Sequence, residues 1–446
     1  MDRPVRTPVT SMTETPQSAP SPSRRDVLDL ALRAGLVAGS AAASPLAFGG
    51  RRQDDDSVLK VGLIGCGGRG GGAAVNALRA DPNTKLVAMA DAFEDMLERK
   101  HTDLQNVADI ADRVDVPAER RFVGFEAYKK VVDASDVVLL ATSPHFRPAH
   151  DEYAVQQGKH LFVEKPVAVD APGLRRIWTA ANEAKDKGLA VVSGLCYRYQ
   201  FAKQETVRRV HEGAVGDIVA LECSYNTGGL WHRGRQPDWS DMEWQMRNWL
   251  YHVWLSGDHV MEQAIHNLDK IAWVMKDVPP KSVDASGGRI VRTDTKYGNV
   301  FDHFNARFTW DSGVKCFFSC RQLSGAKSDV SDHVYGTRGV AHIQSHRIEG
   351  EERWRWRKPD GMVDDMYQNE HDALFKSIRD GQSIHNGDYM CKSTLLALMV
   401  RMSAYTGKAI EWNQALESEE DLTPPAYEWG DLPVGPIAQP GVTPFV

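Results

Sequence analysis

Residues 58–70 constrain this chain more than any other stretch. Val58-Leu59-Lys60-Val61-Gly62-Leu63-Ile64 is a short apolar run, the pattern of a parallel strand buried on both faces. It ends at Gly65-Cys66-Gly67-Gly68-Arg69-Gly70, and residues 71–80 then read as a helix. Gly65, Gly67 and Gly70 fit the GxGxxG spacing. Such glycines permit a tight turn, close backbone approach to a pyrophosphate, and close packing of helix on strand. The helix N-terminus stabilises the anion. Asp91 closes the next predicted strand, Lys85–Ala90, and follows Gly70 by 21 residues. A carboxylate there accepts hydrogen bonds from a ribose and repels a 2′-phosphate. The loop therefore predicts a bound dinucleotide, with NAD favoured over NADP. Gly68 and Arg69 complete the candidate phosphate loop, and Arg69 leaves some room for NADP.

The surrounding pattern sets the fold class. Val137–Thr142 and His160–Val163 read as further buried strands, with a helix over 149–157 between them. Strands alternating with helices predict a doubly wound α/β sheet over residues 57–185. After about residue 190 the period changes to two, over Ile218–Tyr225 and Phe301–Cys320, with Asp311-Ser312-Gly313 as a hairpin turn. Residues 190–365 are thus expected to form an α+β domain on a large, mainly antiparallel open sheet. Residues 366–415 are expected as helices packing back on the core, and 416–446 as an extended tail. Arg353-Trp354-Arg355-Trp356-Arg357-Lys358 alternates strictly and reads as a strand.

The 446-residue chain carries a net charge of −7, which gives nucleic acid or anionic lipid no overall field to follow. Its six cysteines form no CxxC pair, so no zinc ribbon is expected, and they read as buried free thiols. Residues 1–50 look like an address rather than structure. Residues 1–23 are rich in Pro, Ser and Thr. Arg24-Arg25 and the apolar stretch Ala34–Ala43 then resemble a twin-arginine export signal, removed near residues 43–50. The apolar run is about half of the ~20 residues a spanning helix needs, so no stable membrane insertion is expected. The expected location is the periplasm, reached by a folded protein that carries its cofactor.

A second signature appears further on. The loop is followed by Ala141-Thr142-Ser143-Pro144-His145, then by Gly158-Lys159-His160 and Glu164-Lys165-Pro166. In this order they resemble the Gfo/Idh/MocA family of oxidoreductases, which includes glucose–fructose oxidoreductase and inositol dehydrogenase. The resemblance covers about residues 58–415. It implies an N-terminal Rossmann domain, a second domain whose sheet often forms the interface of a homo-oligomer (a dimer or tetramer), and cofactor contacts at Thr142, Ser143, Pro144, His145, Glu164, Lys165 and Pro166. It also implies that Lys165 faces both nicotinamide and substrate. The family's Asp-x-x-x-His-x-x-Asp stretch is matched by Glu262…His266…Asp269, with Glu262 where Asp is usual. At i, i+4 and i+7 these three are expected to share one helix face. His266 then corresponds to the catalytic histidine, with Lys165 and Glu262 as its companions. His259, Glu262 and His266 could instead bind a metal, but they lack the HExxH pattern and no metal is predicted.

Between the two period-two segments lies a tryptophan-rich insertion, residues 226–256. Its Gln245, Arg247 and Asn248 beside flat aromatic rings suit a sugar. Arg198, Asp258 and His259 complete the expected substrate contacts. The expected activity is hydride transfer between a tightly bound NAD(P) and a secondary hydroxyl of a carbohydrate. Two alternatives stand beside it. One is a redox-assisted glycosidase, which oxidises, eliminates, hydrates and reduces. The other is a non-catalytic, cofactor-holding sugar-binding protein.

Overall fold

A computed structural model describes residues 57–446, and the export-signal expectation lies outside them. Six strands form the first sheet: β1 Leu59–Ile64, β2 Thr84–Asp91, β3 Arg121–Val123, β4 Val137–Leu140, β5 His160–Val163 and β6 Val191–Ser193. Their order is β3-β2-β1-β4-β5-β6, and every pairing is parallel. β1 and β4 are buried along almost their whole length, as a sheet covered by helices on both faces requires. The order reverses between β1 and β4, and ligands of such sheets bind at that switch point, outside the carboxyl ends of the strands.

The expected helix after the glycine loop spans Gly68–Ala80, and the polar segment after Asp91 folds as Glu94–Gln105. The helix expected over 149–157 is Arg147–Gln156.

The second sheet has nine strands: β7 Ile218–Thr227, β8 Ser282–Gly288, β9 His303–Thr309, β10 Lys315–Gln322, β11 Asp329–Gly336, β12 Gly339–His342, β13 Arg347–Gly350, β14 Trp354–Arg355 and β15 Ile410–Glu411. Their order is β14-β13-β12-β11-β7-β10-β9-β8-β15, antiparallel except for β7 with β10. The Asp311–Gly313 turn joins β9 to β10 as expected, with Gly313 at φ 87°. Burial alternates along β9 and β10, so one face is covered and the other open. Helices Ile265–Val274 and Gly387–Thr406 lie against the covered face.

The alternating run at 353–358 pairs only at Trp354–Arg355, because β14 sits at the sheet edge with a single neighbour. All six cysteines are buried and free. The helical C-terminal region is two helices, Met366–Arg379 and Gly387–Thr406. The first returns to the Rossmann unit, where Gln368 bonds Asn76 and Arg379 bonds Asp81. Among the described residues, no helix is long and apolar enough to cross a membrane.

Candidate functional site

A cleft of about 420 Å³ opens at the switch point. Its floor is the glycine loop. Gly65 adopts φ 98°, and a Cβ there would meet the Ala141–Thr142 backbone at 2.6 Å. A Cβ on Gly70 would lie 1.9 Å from the Gly65 carbonyl oxygen. By contrast, a Cβ on Gly67 or Gly68 would meet nothing within 4 Å. The first pair therefore closes the turn, and the second pair faces open space at a helix N-terminus that no side chain caps. That is the cradle a pyrophosphate needs.

Asp91 lines the cleft at the end of β2. Its carboxylate accepts from the backbone N–H groups of Cys66 at 2.7 Å and Phe93 at 3.0 Å. Burial raises its pKa, and those hydrogen bonds work against the rise. Thr142 and Ser143 form part of the opposite wall, and the buried Thr142 hydroxyl has no partner within the described residues. The loop, the acid and this orphaned hydroxyl fit a nicotinamide dinucleotide.

Lys165 follows β5, and its peptide bond to Pro166 is cis. The ammonium donates to the Glu262 carbonyl oxygen and lies 3.3 Å from Glu262 Oε1. That carbonyl is free because the expected single helix is broken. His259–Glu262 is one short helix and Ile265–Val274 another, and the His266 N–H turns to Gln263 instead of Glu262. The break takes Glu262 off the helix that carries His266 and Asp269. Asp269 points to Arg198 and Ser393, and not to His266. The His266 ring lies 5.1 Å from that of Tyr197, and its Nδ1 has no partner. Burial, reinforced by Lys165 and Lys270, holds the imidazole well below its usual pKa. The ring is therefore neutral at pH 7.

Two family models match this chain. One, described as "Oxidoreductase family, NAD-binding Rossmann fold", matches residues 59–192. The other, "GFO/IDH/MocA C-terminal domain", matches residues 204–342, and together they span more than half of the chain. The chain belongs to the Gfo/Idh/MocA oxidoreductase family. An inositol 2-dehydrogenase of Burkholderia lata is 25% identical over 345 residues, 73% of this chain and 87% of the relative. A "Glycosyl hydrolase family 109 protein 1" of Bacteroides thetaiotaomicron is 28% identical over 170 residues, 37% of this chain and 34% of the relative. The chain spans between a third and a half of the length of the glycosyl hydrolase relatives it matches. In fold it is similar to apo scyllo-inositol dehydrogenase from Lactobacillus casei, with a TM-score of 0.61 at 17% identity, covering 80% of this chain and 99% of that one.

Several expected contacts of this family member have other neighbours in the structure. Arg69 is no free phosphate ligand. Its guanidinium is held between Glu164 and Glu370, at 2.6 Å from the latter. Burial works against the ionisation of Glu164 but is outweighed by Arg69, Lys165 and Arg147, while burial raises Glu370. His145 bonds the Tyr427 hydroxyl at 2.8 Å, and burial pushes its pKa down to about 4. Pro144 is buried beside it in the same 3₁₀ turn.

Arg198, expected at the substrate, is committed to Asp269 and Asp277 and stacked 4.0 Å from the Tyr389 ring. Asp258 is fully buried, with its carboxylate accepting from the backbone N–H groups of His259 and Phe301 and from the Tyr405 hydroxyl. His259 sits between Asp258 and Cys320, turned to a structural role.

The insertion departs most from expectation. Gln245 and Asn248 are buried and hold backbone: Gln245 donates to Leu432, and Asn248 brackets Arg233. Arg247 lines the dinucleotide cleft together with Trp231, Arg233, Met246 and Trp249. The cleft wall also includes Phe93, Met96 and Phe125, none of which sequence reasoning singled out. Phe93 could have been found, two residues beyond the ribose acid. Phe125 could not, because only the fold brings the loop after β3 to Asp91.

Proposed function

We propose that this protein transfers hydride between a tightly bound nicotinamide dinucleotide and a secondary hydroxyl of a sugar, polyol or glycoside. One observation carries the reading: Lys165, whose chain neighbour Glu164 pairs with Arg69 on the cleft wall, is held by Glu262 on the segment that also carries His266. An ammonium has three donors. Glu262 engages Lys165 through its carbonyl and its carboxylate, and a further N–H is left for a substrate oxygen. Lys165 thereby stabilises negative charge developing on that oxygen. His266 is neutral and has a free Nδ1, so it takes the hydroxyl proton. Glu262 positions Lys165. When bound, the nicotinamide supplies the hydride acceptor.

Asp91 favours NAD over NADP, and the inositol 2-dehydrogenase relative supports a polyhydroxylated substrate. The twin-arginine motif supports export to the periplasm with the cofactor in place. A homo-oligomer joined through the open sheet face is part of the same proposal.

The test is direct. Purified protein is assayed for bound nicotinamide by mass spectrometry after denaturation, then screened with polyols, aldoses and glycosides at 340 nm. Reduction with a free polyol or sugar supports the reading, and no response across the panel from holoprotein would sink it. The glycosyl hydrolase relatives favour a second reading, redox-assisted cleavage of a glycoside. Its signature is sugar release without accumulation of reduced cofactor.

A further inference from the structure

The rim of the cleft beside Asp91 is assembled from four stretches that are distant in sequence. Phe93 and Asp95 follow β2, and Phe125 follows β3. Arg247 comes from the insertion, and Trp429 from the C-terminal tail. The Arg247 guanidinium lies 4.0 Å from the Phe93 ring and grips both Asp95 oxygens at 2.9 and 3.1 Å. Trp429 packs at a tilt behind Phe93, with centroids 5.3 Å apart, and behind Phe125 at 4.8 Å, and both of those rings line the cleft.

The two outer pieces are tied to each other. The Met242 N–H donates to Gly430 at 3.1 Å, Gln245 donates to Leu432, and the Leu432 N–H donates to Asp241 at 3.3 Å. Tyr427, bonded to His145, pins the tail where it enters. Yet Trp429 is 46% exposed, and Asp95 is also largely open to solvent. These contacts do little for the core. They bridge the second domain and the tail to the residues around the ribose acid, which is where a dinucleotide's adenosine half belongs on such a sheet.

We infer that Arg247 and Trp429 form a two-piece clasp over the adenosine half of the cleft and set how slowly the dinucleotide leaves. The inference rests on the proposed dinucleotide reading. A ligand held only by the glycine loop and Asp91 departs by local fluctuation. A ligand beneath the clasp departs only after the Arg247–Asp95 pair and the Trp429 ring contacts have opened. Both pieces lean on the Phe93 ring, so removing either loosens the other.

The experiment measures NAD release. Holoprotein loaded with radiolabelled NAD is chased with excess unlabelled NAD, and retained label is followed on filters. R247A and W429A are each expected to release label at least ten-fold faster than the parent, and the double variant little faster than either. W429F, which keeps a ring, is the milder check should W429A lower the melting temperature; a two- to three-fold acceleration is expected. K376A, which removes an exposed ion pair with Asp380 away from the cleft, should release at the parent rate. Parent-like release from R247A and W429A in a protein that does bind NAD overturns the clasp alone. A parent protein that binds no NAD overturns the dinucleotide reading and the clasp with it.

Discussion

The two ends of the candidate site are held by opposite means. Around Lys165 the contacts are buried charges. Glu164 and Glu370 are almost fully enclosed, and Arg69 is shared between them. Around Asp91 the contacts are aromatic rings and an ion pair open to water on one side. Removing one partner of a buried pair strands the other and costs about 3–5 kcal/mol, while exposed pairs are worth about 0–1 kcal/mol. The first end is thus built to stay fixed, and the second can open without endangering the fold. A hydride-transfer centre needs fixed geometry, and a cofactor entrance needs the reverse.

The largest expected effect falls on chemistry at the fixed end. Lys165→Ala should lower kcat by roughly 10²- to 10⁴-fold, the scale of losing a positioned donor to developing oxygen charge. Bound nicotinamide per chain should stay unchanged. Normal turnover by a variant that still holds cofactor would return the protein to the non-catalytic, sugar-binding class. Next comes stability. Arg69→Ala should cost about 3–5 kcal/mol in urea unfolding, and Arg247→Ala no more than about 1 kcal/mol. Equal losses would erase the contrast between the two ends.

The glycine loop sharpens the comparison within a single motif. Gly70→Ala must push a methyl into the Gly65 carbonyl, so it should lower the melting temperature and abolish NAD binding. Gly67→Ala meets nothing, so the fold should keep its melting temperature. Its methyl would occupy phosphate space, and NAD affinity should fall by ten-fold or more in a fluorescence titration. A Gly67→Ala protein with parent affinity would place the pyrophosphate elsewhere.

These contrasts also show what the chain made legible. The Rossmann half was readable because local signals agree with the fold: apolar runs, glycine spacing and the terminal acid each point the same way. The hairpin at Asp311–Gly313 was readable for the same reason. The insertion was misread because composition says what Gln245, Arg247 and Asn248 can bind, and not what lies beside them. Two of the three bond to backbone within the protein, and the third faces the cofactor cleft. Arg198 and Asp258 misled in the same way, since a buried charged residue must find partners wherever the fold supplies them. The broken helix at Gln263-Ala264 left no mark in sequence. Nothing in that stretch is a strong breaker, and the break exposes the one carbonyl that Lys165 uses.

The smallest expected effect is also the finest probe of the fixed end. A free histidine titrates near pH 6.5. In the folded protein burial, with Lys165 and Lys270, holds His266 below that value. The sign follows from which state binds the proton. As pH falls, the unfolded chain protonates first, so stability drops below about pH 6.5 while the folded imidazole remains a base. The acidic limb of kcat/KM should therefore lie below pH 6.5, and activity should change little between pH 8 and 6.5 on account of His266. A limb at or above pH 6.5 would mean that water reaches the imidazole freely. The end of the site around Lys165 would then be as open as the end around Asp91, and the difference between them would rest on the ion pairs alone.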